Sequence, residues 1–114
     1  MIQARTWRVV TAAYAACIFV VSVVPISPKL VPGQLDKVVH LCEYLLLAWM
    51  LAQLFRLQRH PRALWAAWWW ATGYGALIEG VQIFLPWRSG DIMDALENAL
   101  GAALGVIVVR RIRV

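Results

Sequence analysis

The sequence is short of charge. Of its 114 residues only 15% are Asp, Glu, Lys or Arg, where an ordinary soluble domain has about 25%. A small soluble protein leaves much surface exposed and needs charge to cover it. Cysteine is scarce too: Cys17 and Cys42 are the only two, which excludes a disulfide-stapled scaffold. There is no low-complexity tract, no internal repeat and no linker long enough to join two domains, so residues 1–114 are expected to form one domain. A basic, aromatic-interleaved soluble surface is also missing, which argues against nucleic acid as a partner. What the chain has is apolar residues, 62% of the total, too many for a disordered polymer. Its expected solvent, and first partner, is the lipid bilayer.

Four apolar blocks cover about residues 7–24, 37–55, 63–85 and 92–109. Each comes close to the roughly 20 apolar residues that carry a helix across a bilayer. The pattern predicts an all-α integral membrane bundle of four transmembrane helices. Pro25-Ile26-Ser27-Pro28-Lys29 and Pro32-Gly33 break the first from the second, because such a stretch cannot be helical throughout. Arg56 to Arg62 and Pro86-Trp87-Arg88-Ser89-Gly90 make the other two breaks. Arg5 and Arg8 give the first block the basic start of a signal peptide, yet no small-residue cleavage pattern follows its apolar run. A retained span is expected, with Cys17 as a small core residue.

Basic residues in short loops set orientation. Eight of them (Arg5, Arg8, Arg56, Arg59, Arg62, Arg110, Arg111 and Arg113) fall on one side, and Lys29, Lys37 and Arg88 on the other. Both termini are therefore expected in the cytoplasm. Trp65, Trp68, Trp69 and Trp70 would then anchor the third span near the inner interface, where indoles favour the headgroup zone. That role outweighs a ligand cage. His60, in the basic loop, is expected to be solvated.

In that topology the polar residues gather near one leaflet. Asp36, Lys37, His40 and Glu43 open the second span, Glu79 and Gln82 close the third, and Asp91, Asp94 and Asn98 open the fourth. Positions 36, 40, 43 and 47 share a helix face. So do Glu79 and Gln82. A stripe through Asp91, Asp94, Asn98, Gly101 and Gly105 starts polar and ends small, the spacing that lets another helix approach closely. Asp36 and Asp91 also suit helix N-caps. Lys37 suits snorkelling to the headgroups, and Gln82 and Asn98 suit bonding between helices. Glu97, off the stripe, is expected to be a lone interfacial carboxylate. His40, Glu43 and Glu79 stand out because an unpaired charge inside a span costs about 2.5–3.5 kcal/mol.

Asp36-Lys37-Val38-Val39-His40, then Glu79-Gly80-Val81-Gln82-Ile83-Phe84-Leu85-Pro86-Trp87-Arg88, then Asp91-Ile92-Met93-Asp94, with Asn98 and Gly101 after, resembles the VanZ-like family in order and spacing. The likeness spans about residues 36–105. Trp87 departs from it, since many members have a smaller residue there. The resemblance implies a small multi-pass protein of the bacterial cytoplasmic (inner) membrane that acts at the cell envelope. Through the family's founder it implies a link to glycopeptide (teicoplanin) susceptibility and antibiotic resistance. It does not imply a reaction.

The residues support two functions of different class. In the first, the outward polar cluster binds or modifies a lipid-linked or anionic envelope component, such as a polyprenyl-linked precursor. His40 would be the general base, its ordinary pKa being near neutral, and Glu79 or Asp94 would orient it. Arg88 and Lys37 would hold a phosphate or carboxylate, with Asp36, Glu43, Gln82, Asp91 and Asn98 completing the ligand-binding wall. No motif fixes a metal geometry, so neither a metal nor another cofactor is expected, and whether the site is catalytic stays open. In the second, the chain is a non-catalytic accessory protein that partners an envelope-biogenesis enzyme. Gly101 and Gly105 could serve contacts within the chain or a homo-oligomer. A small proton-coupled transporter fits the length, but such exporters use an acidic residue in the first span and this first span has none.

Overall fold

A computed structural model of the chain describes residues 3–24, 33–86 and 92–111, with side chains from Lys37 in the second helix and from Met93 in the fourth. The described residues form four helices and no strand: α1 (Ala4–Val23), α2 (Gly33–Leu57), α3 (Ala63–Ile83) and α4 (Ile92–Arg111). All four expected helices are present, with shifted ends. Val24 is already extended (ψ 148°), because a residue before proline is pushed out of the α region. At the other break, α3 tightens before Pro86: Phe84 and Leu85 donate to Val81 and Gln82 carbonyls three residues back. It stops at Ile83, two residues short of the expected end. In the other direction, α2 begins at Gly33, four residues earlier than the apolar run suggests, because Gln34-Leu35-Asp36 join the helix without being apolar enough to mark it.

The α2–α3 connection is a Schellman cap. Arg59 takes φ 56°, its N–H bonds Arg56 O, and His60 N–H bonds Phe55 O. This is the paired closure that satisfies a helix's last carbonyls, and Pro61 then prevents the helix from resuming. His60 is exposed, as expected, and its Nδ1 accepts the Arg62 N–H at 3.0 Å.

Contacts between helices fix their directions. Trp7 packs edge-on against Trp49 at 5.4 Å while Tyr14 donates to Glu43 O at 2.9 Å, so α1 runs against α2. Tyr74 donates to Ala15 O and Gln82 to Ser22 O, so α1 and α3 run together. A Cβ on Gly101 would strike Leu41 O, and one on Gly105 would strike Leu45 O, so α2 and α4 are parallel. The chain therefore reverses at every connection, and the start of α1 lies at the same end as the finish of α4. Helices α2, α3 and α4 pack mutually, and α1 lies on the α2–α3 side without touching α4.

Small residues carry this packing. Ala48, Ala52, Ala67, Ala71 and Ala102 are fully buried among the helices, and both glycines of the α4 stripe are spent on contacts within the chain. The outside is apolar: Val9, Val20, Leu77, Ile83, Leu96 and Ile107 are all exposed. Thr11, Ser22, Gln53, Glu79, Gln82 and Asn98 are buried instead. A water-soluble bundle would show the reverse distribution. Two helical stretches, Ala4–Val23 and Lys37–Leu57, are long and apolar enough to cross a membrane. The long axis of 42 Å exceeds the roughly 30 Å hydrocarbon core. Cys17 is exposed rather than in the core; on α1 the inward positions are Thr11, Ile18 and Ser22, and Cys17 falls on the opposite face.

Candidate functional site

Charge divides the bundle into two ends. Arg5, Arg8, Arg56, Arg59, Arg62, Arg110 and Arg111 are exposed at the end holding the α1 N-terminus and the α4 C-terminus. The acids whose side chains are described, Glu43, Glu79, Asp94 and Glu97, all lie in the other half. Their distances along the antiparallel helices put them there, and their side chains are buried or partly buried between the helices.

On α2, His40 and Glu43 are one turn apart, with Nδ1 3.8 Å from Oε1. That is an ion-pair distance when the imidazole is protonated, and too long for a direct hydrogen bond. Because α2 starts at Gly33, His40 sits about 10 Å along the helix and Glu43 in its third turn, deeper than the sequence suggested. On α3, Glu79 and Gln82 are each 5% exposed. Gln82 Nε2 donates to Ser22 O at 2.9 Å, and Ser22 Oγ donates to Ile18 O at 2.6 Å. On α4, Asp94 is partly buried and Asn98, one turn deeper, is 2% exposed.

These elements meet at Gly75. A Cβ there would lie 2.9 Å from Asn98 Nδ2 and 3.0 Å from Tyr44 Cε1, so the absence of a side chain on α3 lets α2 and α4 groups converge. Tyr44 is fully buried, within electrostatic reach of Glu43, Tyr74, Glu79 and Tyr14. Asn98 Oδ1 has no hydrogen-bond partner among the described residues. The arrangement offers buried acceptors and amide donors around a phenol, enough to bind and orient a polar group without water. Among the described residues, no three of His, Cys, Asp and Glu converge as a metal-ligand set.

Of the residues expected from sequence, His40, Glu43, Glu79, Gln82, Asp94 and Asn98 all occupy this half of the bundle. Arg88 and Asp91 lie outside the described residues, as does the side chain of Asp36. Glu97 departs from expectation. It is not a lone carboxylate, because Oε1 lies 3.7 Å from Lys37 Nζ, tying the second turn of α4 to α2. The signal was available: Glu97 is four residues before Gly101, on the face that meets α2. Three tyrosines were also missed. Tyr14 belongs with Thr11 and Ser22 to a polar stripe on α1 at helical spacing, inconspicuous because nothing in it ionises near neutral pH. Tyr44 follows His40 by four residues, and Tyr74 is pinned through its hydroxyl to Ala15 O.

The profile of the VanZ/LLP1 family matches residues 2–113, nearly the whole chain. No curated protein and no solved structure matches it.

Proposed function

The chain belongs to the VanZ-like family, and on that premise we propose that it is a four-span inner-membrane protein acting at the cell envelope. Both termini face the cytoplasm, and the polar half of the bundle opens toward the outer leaflet. There it binds a lipid-linked or anionic envelope component. The observation that carries this reading is the burial of Glu79, Gln82 and Asn98 inside a bundle whose outside is apolar. In lipid such groups persist only where they face a partner, and Asn98 Oδ1 has none among the described residues. The +5 net charge is concentrated at the opposite end, as the positive-inside rule requires for this orientation.

The chemistry follows from the residue types. His40, beside Glu43, accepts or delivers a proton at a ligand oxygen. Glu79 and Asp94 orient hydroxyl or amine donors, and Arg88 and Lys37 neutralise a phosphate or carboxylate. Occupancy of envelope precursors would alter teicoplanin susceptibility without any covalent step.

The direct test is mass spectrometry of lipids that copurify with the wild type and with Arg88→Ala. One polyprenyl or anionic species retained by the wild type and lost in the variant is the expected result. Only bulk phospholipid in both would sink the binding reading and favour an accessory protein that partners an envelope enzyme. Teicoplanin susceptibility of cells carrying His40→Ala with Glu79→Gln supplies the second arm. Normal expression with a lost phenotype is expected, and a retained phenotype would remove the site from these two residues.

A further inference from the structure

From the arginine-rich end toward the middle of the bundle, a groove of about 270 Å³ opens between α1, α2 and α3. Its walls include Thr11, Leu47, Leu51, Trp70 and Tyr74, and Arg8 stands beside them. From Arg8 to Ala15, the α1 wall runs about 10 Å, most of the roughly 15 Å depth of one leaflet. The Tyr74 hydroxyl, bonded to Ala15 O, fixes the far wall. A second groove of about 340 Å³ lies on the other side of Trp70 and Tyr74, floored by Gly73 and Leu77. Two apolar channels thus share one aromatic ridge.

The polar groups sit at one end of this pair. The Arg8 guanidinium is exposed and has no acidic partner among the described residues, whose acids lie in the other half of the bundle. One turn on, Thr11 is 5% exposed, and its buried hydroxyl has no hydrogen-bond partner among the described residues. An exposed cation above two apolar channels matches a phosphate head above two acyl chains.

We propose that this surface binds one two-chain anionic phospholipid from the leaflet at the arginine-rich end. Its phosphate rests on Arg8 and its chains lie on either side of the Trp70–Tyr74 ridge. The site rests on the bundle spanning a bilayer, and neither on which end faces the cytoplasm nor on the polar cluster of the other half. A zwitterionic lipid fits the channels equally well, so Arg8 supplies the headgroup preference.

The test uses the full chain in detergent, incubated with dioleoyl phosphatidylglycerol or dioleoyl phosphatidylcholine, with retained lipid counted by native mass spectrometry. The wild type should keep one phosphatidylglycerol with a preference of about fivefold, the ratio that one basic residue near a charged surface supports. Arg8→Gln should bring the two lipids near parity, while Arg5→Gln should leave the preference intact. Ala12→Phe, at an exposed α1 position on the groove wall, should displace both lipids with helix content unchanged. His40→Ala should behave as wild type, which separates this outcome from that of the polar site. No retained lipid, equal effects of Arg8→Gln and Arg5→Gln, or full retention by Ala12→Phe would each overturn the proposal.

Discussion

Gly101 and Gly105 show what one missing methyl group decides. Their spacing announces a close helix contact in any sequence, but only the folded chain identifies Leu41 and Leu45 on α2 as the backbone they meet. Gly101→Val should destabilise the protein by about 1–3 kcal/mol through overpacking, read as a lowered unfolding midpoint in detergent. Gly73→Ala is the matched control, since a Cβ there meets nothing within 4 Å. It should be neutral or stabilising by up to about 1 kcal/mol, the helix-propensity difference. The Lys37–Glu97 pair belongs to a different class, because the lysine side chain is 61% exposed. Lys37→Ala should cost less than about 1 kcal/mol on the same measurement. A loss of several times that would mean the pair is shielded from solvent. Neither Glu97 nor the three tyrosines, of which Tyr44 is fully buried and Tyr14 and Tyr74 partly so, stood out in the sequence. A hydroxyl or an isolated acid is unremarkable until something packs on it.

Helix ends follow local chemistry, and helix attachment follows side chains far apart in sequence. Arg59 holds a left-handed conformation (φ 56°) that costs an L-residue roughly 1–2 kcal/mol. Arg59→Gly should therefore stabilise the α2–α3 connection, by less than that figure because glycine loses more entropy on folding. Thermal unfolding in detergent checks it, and an unchanged or lower midpoint contradicts it. The attachment of α1 relies on three polar contacts: Tyr14 to Glu43 O, Tyr74 to Ala15 O and Gln82 to Ser22 O. Gln82→Leu should weaken it by about 0.5–1.5 kcal/mol, the net worth of one such bond. Faster amide exchange confined to the C-terminal half of α1 is the expected signature, with α2 and α4 unaffected. Acceleration spread evenly over four helices would mean Gln82 stabilises the whole bundle instead. In the sequence Gln82 suited a bond between helices, but the receiving carbonyl lies 60 residues away and no periodicity names it.

For the whole molecule the governing fact is sorted polarity among the described residues: arginines at one end, acids with Lys37 in the other half, apolar side chains outside. The proposed orientation is testable with single cysteines on a background of Cys17→Ser and Cys42→Ser. Arg59→Cys should react with a membrane-impermeant maleimide only after cells are permeabilised. Phe84→Cys, at a position 86% exposed, should react in intact cells. The opposite pattern would invert the topology and turn the polar half toward the cytoplasm. Alternation of helix direction, set by contacts such as Trp7 on Trp49 and Leu41 on Gly101, fits a chain threaded back and forth across one bilayer.

Composition and periodicity by themselves determined four helices, their approximate limits and the clustering of polar positions on three of them. Those are local or one-dimensional properties, set by how many apolar residues run together and which residues recur at helical spacing. Tertiary structure alone decided that α1 leans on α2 and α3 but not α4, that Cys17 faces outward, that Glu97 meets Lys37, and that Gly75 opens a place for Tyr44 and Asn98. The reason is that each of these depends on which backbone arrives opposite a given face. Burial of a single polar atom depends on a neighbour that sequence spacing does not encode.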